Sequence, residues 1–215
     1  MMKLKSFVFN AFQVNCFVLY DDSSECIIVD ASCYEEDEYN SLFSFIEKNS
    51  LKPKALLNTH GHVDHLTGTK RVCEKYGINF FMHRGDNSLL ENAVLHGKIF
   101  GFSIQPPPEP HGWIADGDFF SFGNSGITAW HAPGHSPGSL IFYEKDSKIL
   151  ITGDVLFAGS IGRTDLSGGN FNTLIDSINT KILILPDDTQ IFPGHGPASF
   201  VGIEKEQNPF LNRSS

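Results

Sequence analysis

Apolar residues recur at two spacings along the chain, and the spacing sorts it into elements. Near the N-terminus they come in short bursts. Lys3–Phe9, Asn15–Tyr20 and Cys26–Asp30 read as strands, the last two joined by the turn Asp21-Asp22-Ser23-Ser24. From Tyr34 to Asn49 the period lengthens to that of a helix. Leu42, Phe43, Phe45 and Ile46 form its apolar face, and Glu35, Glu36, Asp37 and Glu38 crowd the first turn, where acids favour the positive end of the helix dipole. These acids are assigned to solvation. A strand over 54–58, a helix from Asp64 to Tyr76, a strand Ile78–Met82 and a helix from Asp86 to Phe100 follow. Gln105-Pro106-Pro107-Pro108-Glu109-Pro110 fits neither helix nor central strand, because proline lacks the N–H and fixes φ. It is expected as a surface loop beside the mouth of a site.

Beyond Trp113 the short period returns: Asp118–Phe122, a turn over 123–126, Ile127–His131, then Ser139–Glu144 paired with Ile149–Thr152. Phe171–Leu183 reads as a helix with Leu174, Ile175, Ile178 and Ile182 on one side, Gln190–Phe192 as the last strand, and the tail after Pro197 as a short helix. By itself this order supports one layered domain of α/β or α+β class.

Composition narrows the partners more than the fold. The 215 residues suit a single domain over 1–215, with 40% hydrophobic and 19% charged residues. A net charge of −9 disfavours nucleic acid and acidic membrane surfaces as partners, and no apolar run is long enough for a membrane helix. A small-molecule substrate and a monomer or small homo-oligomer are expected. Lysines precede apolar residues at the N-terminus, but Asn10, Gln13 and Asn15 interrupt the stretch, which reads as a strand and not a signal peptide. Cys16, Cys26, Cys33 and Cys73 form no C-x-x-C pair and are expected as free thiols in a reducing cytoplasm.

The candidate chemistry is concentrated in Thr59-His60-Gly61-His62-Val63-Asp64-His65, on a strand-to-helix turn. Imidazole and carboxylate ligands suit zinc, iron or manganese. His60 and His62, two apart on extended backbone, can point one way, and Asp64 and His65 can point at a second spot nearby. Three later positions each follow an apolar run: His135 in Ala132-Pro133-Gly134-His135-Ser136-Pro137-Gly138-Ser139, Asp154 after Ile149–Gly153, and His195 in Pro193-Gly194-His195. His83 is given a structural or pocket-lining role, His96 an exposed one, and His131 a place in the core or behind a ligand.

The constellation His60, His62, Asp64, His65, His135, Asp154 and His195 resembles the metallo-β-lactamase superfamily across nearly the whole chain. Gly134–Ser139, Leu156–Asp165 and the tail Glu204…Asn208-Pro209-Phe210-Leu211 resemble its glyoxalase II (hydroxyacylglutathione hydrolase) branch, in short members without the separate C-terminal glutathione-binding domain. The resemblance implies a four-layer αββα sandwich. It also implies two divalent metal ions, one held by His60, His62 and His135, the other by Asp64, His65 and His195, with Asp154 bridging. Asp64 is given a catalytic role as well, Asp30 the support of a ligating histidine from behind, and Arg163 the binding of substrate. The implied activity is hydrolysis of thioesters such as S-lactoylglutathione, whose thiolate leaves readily because its pKa is about 8.5. Asp165 stands where the branch carries an aromatic residue. The alternative is a persulfide dioxygenase with a single iron, which Gly162–Asp165 and the tail also resemble.

Overall fold

The structure, a computed structural model, describes residues 1–211. Its first half runs β1 (Lys3–Phe9), β2 (Val14–Tyr20), β3 (Glu25–Val29), α1 (Glu36–Lys48), β4 (Lys52–Leu57), α2 (Thr69–Tyr76), β5 (Asn79–Met82), α3 (Asn87–Glu91), α4 (Ala93–Phe100) and β6 (Gly112–Trp113). These strands form one sheet in sequential order, antiparallel from β1 to β3 and parallel from β3 to β6. The second half runs β7 (Phe119–Phe122), β8 (Ser125–His131), β9 (Leu140–Glu144), β10 (Ile149–Gly153), the small hairpin β11 (Leu156–Phe157) and β12 (Ser160–Ile161), α5 (Phe171–Ser177), β13 (Gln190–Pro193), β14 (Ser199–Phe200) and α6 (Val201–Gln207). Its sheet has the order β14-β13-β10-β9-β8-β7, with β10 and β13 parallel.

The period-2 pattern explains the layering. On β2, Cys16 and Val18 pack with Leu42, Ile46 and Val72 of the flanking helices. Phe17 and Leu19 face the other way and meet Phe122, Ala129, Leu140 and Phe142 of the second sheet. On β9 the next pair, Ile141 and Tyr143, pack under Leu174, Ile178 and Ile182. Both faces of each sheet are therefore covered, which is why β2, β3 and β9 read as continuous apolar runs and not as alternating ones. This is the four-layer αββα sandwich. No helix among the described residues is long and apolar enough to cross a membrane.

The parallel pairs set up the site. Val29 lies beside Leu57, so Asp30 and Thr59 leave the first sheet at one edge. Gly153 lies beside Pro193, so Asp154 and His195 leave the second sheet together. The two edges are stitched: the Leu140 N–H donates to the Thr59 carbonyl (2.7 Å) and the Asn15 N–H to that of Gly194 (2.7 Å).

Two expected elements and one side-chain role differ. The helix expected from Asp64 begins only at Thr69. Val63–His65 form a single 3-10 turn, and the Gly68 N–H and Thr67 hydroxyl bond the Ala31 and Ser32 carbonyls (2.9 and 2.7 Å). The helix expected over Asp86–Phe100 is broken at Asn92, whose ψ of 7° leaves the helical region. Glu38 is not simply solvated: its carboxylate accepts from the Asn10, Tyr34 and Glu35 N–H groups (2.5, 2.7 and 3.0 Å).

Asp21, in the turn between β2 and β3, fastens the sheets at their far end. Its carboxylate accepts from the Asn124 N–H (2.7 Å) and Ser125 hydroxyl (3.0 Å), and from Ser23 within its own turn. Burial opposes its ionisation, but these bonds hold its pKa at about 2, below the ordinary 3.8. A depressed carboxyl pKa stabilises the fold above the unfolded value and is lost as pH falls through the folded one. Asp21→Asn is therefore expected to cost about 1 kcal/mol at neutral pH. The gap to wild type should close between about pH 4 and pH 2 in denaturant melts; a gap independent of pH would contradict this assignment.

Candidate metal centre

All seven expected ligands converge at the edge where the sheets meet. His60, His62 and His135 form one group, Asp64, His65 and His195 another, and His60, His65 and Asp154 a third, with ligand atoms within 4.8 Å of one another in each. Measured atom to atom, His62 Nδ1 lies 2.9 Å from His135 Nε2, and His65 Nε2 lies 3.3 Å from His195 Nε2. Asp154 sits between the groups: Oδ2 is 3.7 Å from His135 Nε2 and 3.4 Å from His195 Nε2, and Oδ1 is 3.5 Å from His65 Nε2. Asp64 Oδ2 is 3.4 Å from His195 Nε2.

The far nitrogens show which way the rings are held. His135 Nδ1–H donates to the Arg163 carbonyl (2.8 Å), His195 Nδ1–H to that of Phe12 (2.9 Å) and His65 Nδ1–H to Asp30 (2.9 Å). The Thr59 hydroxyl donates to Asp30 (2.7 Å) and so accepts from His60 Nδ1 (3.0 Å). A carbonyl or carboxylate behind a ring fixes its tautomer and leaves the other nitrogen's lone pair for a cation. His60 Nε2 and Asp154 Oδ1 are buried and have no hydrogen-bond partner among the described residues. Nitrogens with facing lone pairs at such separations repel unless a cation lies among them; a tetrahedral ion with bonds of about 2.0–2.1 Å places its ligand atoms about 3.3 Å apart. The donor set fits divalent metal ions.

Electrostatics agree. Burial, then the neighbouring His65, holds His60 well below the usual imidazole pKa, and burial and His135 push His62 down to about 4, so both rings are neutral and able to ligate. Burial opposes the ionisation of Asp154 as well, but His65 and His195 hold its pKa well below the carboxylate range. Burial opposes protonation of His195, yet Asp154 and Asp64 raise it to about 9. Protons occupy there what a cation would displace.

Asp30 is wholly buried, with φ +53°, and carries both Thr59 and His65. Arg163 reaches the cleft, but its Nε and one terminal nitrogen donate to the two oxygens of Asp165 (2.7 Å each). Cleft walls come from Phe12, Val63, Phe100, Phe102 and Leu166. The proline segment 105–110 does not line that cleft; Phe100 and Phe102, just before it, do. His96 was expected as an ordinary exposed helix residue and instead lines the cleft. His83 and His131 stack on each other away from the centre (4.0 Å, 18°). Sequence reasoning missed Thr59, the Phe12 carbonyl and Asp86. Backbone acceptors leave no trace in residue type, and Asp86 looked like an ordinary acid at a helix start.

A model of the metallo-β-lactamase superfamily matches residues 9–195. The chain belongs to that superfamily. It is 38% identical over 213 residues to a probable metallo-hydrolase, YqgX, of Bacillus subtilis, covering 98% of each chain. It is 37% identical over 216 residues to the hydroxyacylglutathione hydrolase GloC of Haemophilus influenzae, covering 100% of each. The crystal structure of TTHA1623 in a di-iron-bound form superposes with a TM-score of 0.86 at 32% identity, over 96% of this chain and 100% of that one. The chain is thus a metallo-hydrolase of this superfamily, with a His/Asp cluster suited to divalent metal ions.

Proposed function

We propose that the chain hydrolyses thioesters, of S-lactoylglutathione or a related acyl thiol, with two divalent ions held as the resemblance implies: His60, His62 and His135 on one, Asp64, His65 and His195 on the other, Asp154 between. The observation that carries this reading is the reach of the Asp154 carboxylate to histidines of both groups. The 37% identity to a hydroxyacylglutathione hydrolase supports the substrate class, and the di-iron form of a related chain supports a pair of ions; the His/Asp donors suit zinc, iron or manganese. When bound, such ions lower the pKa of water to about 7 and polarise an acyl oxygen.

The chain's own groups do the rest. Neutral His60 and His62 and ionised Asp154 keep the cage ready to load. Asp64 lines the cleft with Oδ2 turned to His65 and His195, which leaves its other oxygen to orient the attacking water and take its proton. Phe12, Phe100 and Phe102 exclude water around the acyl carbon. Among the described residues Arg163 is the one arginine or lysine on the wall, and Asp165 competes for it. That pair is exposed and screened by water, so a substrate carboxylate displaces it at a modest cost.

The test is metal analysis of the purified chain with hydrolysis of S-lactoylglutathione and of an uncharged thioester. Two ions per chain and thiol release are expected. Asp165→Asn should raise kcat/KM for the anionic thioester by about five-fold and leave the uncharged one unchanged. A fully loaded chain inert towards every thioester would overturn the proposal. One iron per chain with oxygen uptake on a persulfide would replace it with the dioxygenase reading.

A further inference from the structure

Asp86 lies outside the ligand set and is wholly buried. Its Oδ2 accepts from the Gly61 N–H (2.8 Å) and the Ser136 hydroxyl (2.7 Å), and its Oδ1 from the Gly138 N–H (2.6 Å). Gly61 is the residue between His60 and His62, and Ser136 and Gly138 follow His135. One carboxylate thus ties together the two loops that carry a complete ligand trio. The loops press on it closely. A Cβ at Gly61 would come within 2.9 Å of the Asp86 side chain, and one at Gly138 within 2.7 Å, so both positions require glycine for this approach. The other trio is held differently: His65 leans on Asp30 and His195 on the Phe12 carbonyl, and neither contact involves Asp86.

We propose that Asp86 is a positioning residue for one cation alone, setting the distance between the His60/His62 loop and the His135 loop. The inference rests on the two-ion reading. Its physical basis is the count of donors. Three donors converge on two carboxylate oxygens, and an asparagine of the same shape supplies only one acceptor atom. Whichever way the amide is turned, its N–H2 faces a backbone N–H, of Gly61 or of Gly138. Ser136 can reverse its hydroxyl and accept, but a backbone amide cannot. One loop must then move away, carrying its histidines with it. Loss of a group that orients metal ligands typically weakens the metal by about ten- to hundred-fold.

The experiment is zinc titration of the full chain against a competing chelator, with metal content measured after dialysis, for wild type, Asp86→Asn, Asp64→Ala and the double variant. Thermal melts in chelator report folding independently. Two tight ions are expected for wild type. Asp86→Asn should keep one tight ion and bind the other about ten- to hundred-fold more weakly. Asp64→Ala, which removes a ligand of the opposite trio, should keep one ion, and adding Asp86→Asn to it should weaken that remaining ion as well. If the double variant holds its ion as tightly as Asp64→Ala alone, Asp86 does not position that trio. Equal weakening of both ions in Asp86→Asn also overturns the proposal, because it would mark a general loosening of the fold. Should Asp86→Asn fail to fold, Ser136→Ala removes one of the same three bonds and must weaken one ion only. A wild-type chain that binds no zinc brings down the two-ion reading itself.

Discussion

Asp154→Ala is expected to empty the centre: fewer than one ion per chain after dialysis, and turnover lower by about 10²–10³-fold or more. Asp154 is the carboxylate whose oxygens reach both His135 on one side and His65 and His195 on the other. An imidazole cannot replace it, because a ring offers one lone pair towards the centre, and in His60, His65, His135 and His195 the other nitrogen is already bonded behind. Without Asp154 the two trios lose their shared anion, and the mutual repulsion of two cations is no longer offset. Elemental analysis beside an activity assay checks this. Two retained ions at full rate would exclude the bridging role, whereas retention of one would reduce it to a ligand of a single ion.

The second large effect falls on stability. Asp30→Ala removes the acceptor of three buried donors at once: the Thr59 N–H (2.7 Å), the Thr59 hydroxyl (2.7 Å) and His65 Nδ1–H (2.9 Å). It also places alanine at φ +53°, a left-handed conformation that aspartate and asparagine tolerate better. A loss of about 3–5 kcal/mol is expected in denaturant unfolding. Asp30→Asn separates the two roles. Its backbone preference is kept and its oxygen can still accept from Thr59, so the fold should lose only about 1–2 kcal/mol. Its N–H2, however, faces His65 Nδ1. The ring then accepts there and carries its proton on Nε2, pointing into the centre, where it blocks ligation. Near-normal stability with the His65 ion missing is the expected signature; full loading of that ion by Asp30→Asn would refute the tautomer argument.

The same residues show how far the chain's one-dimensional pattern carried. Seven candidate ligand positions were legible because each is a metal-binding residue type just past an apolar run, and a parallel pair of strands must bring such ends to one edge. The layered fold was legible for a related reason: period-2 runs bounded by turns, separated by helical periods, leave few ways to bury both faces of two sheets. The sequence alone therefore pointed to most of the element types and, through its resemblance, to the superfamily and a candidate ligand set.

Tertiary structure decided what supports that set. Asp86 and Glu38 read as helix-start acids, yet Asp86 is buried beneath two loops distant along the chain, and Glu38 accepts three backbone amides beside the β1–β2 turn. The helix expected from Asp64 starts five residues late because the loop's N–H and hydroxyl groups bond Ala31 and Ser32, which no local propensity encodes. Arg163 was foreseen in the cleft, but its pairing with Asp165 became visible only once both side chains were placed. The reason is general to such sites. Residue type and spacing reveal which groups can bind a cation, whereas the hydrogen bonds that aim them come from segments remote in the chain, and only the folded backbone decides which acceptor lies behind each ring.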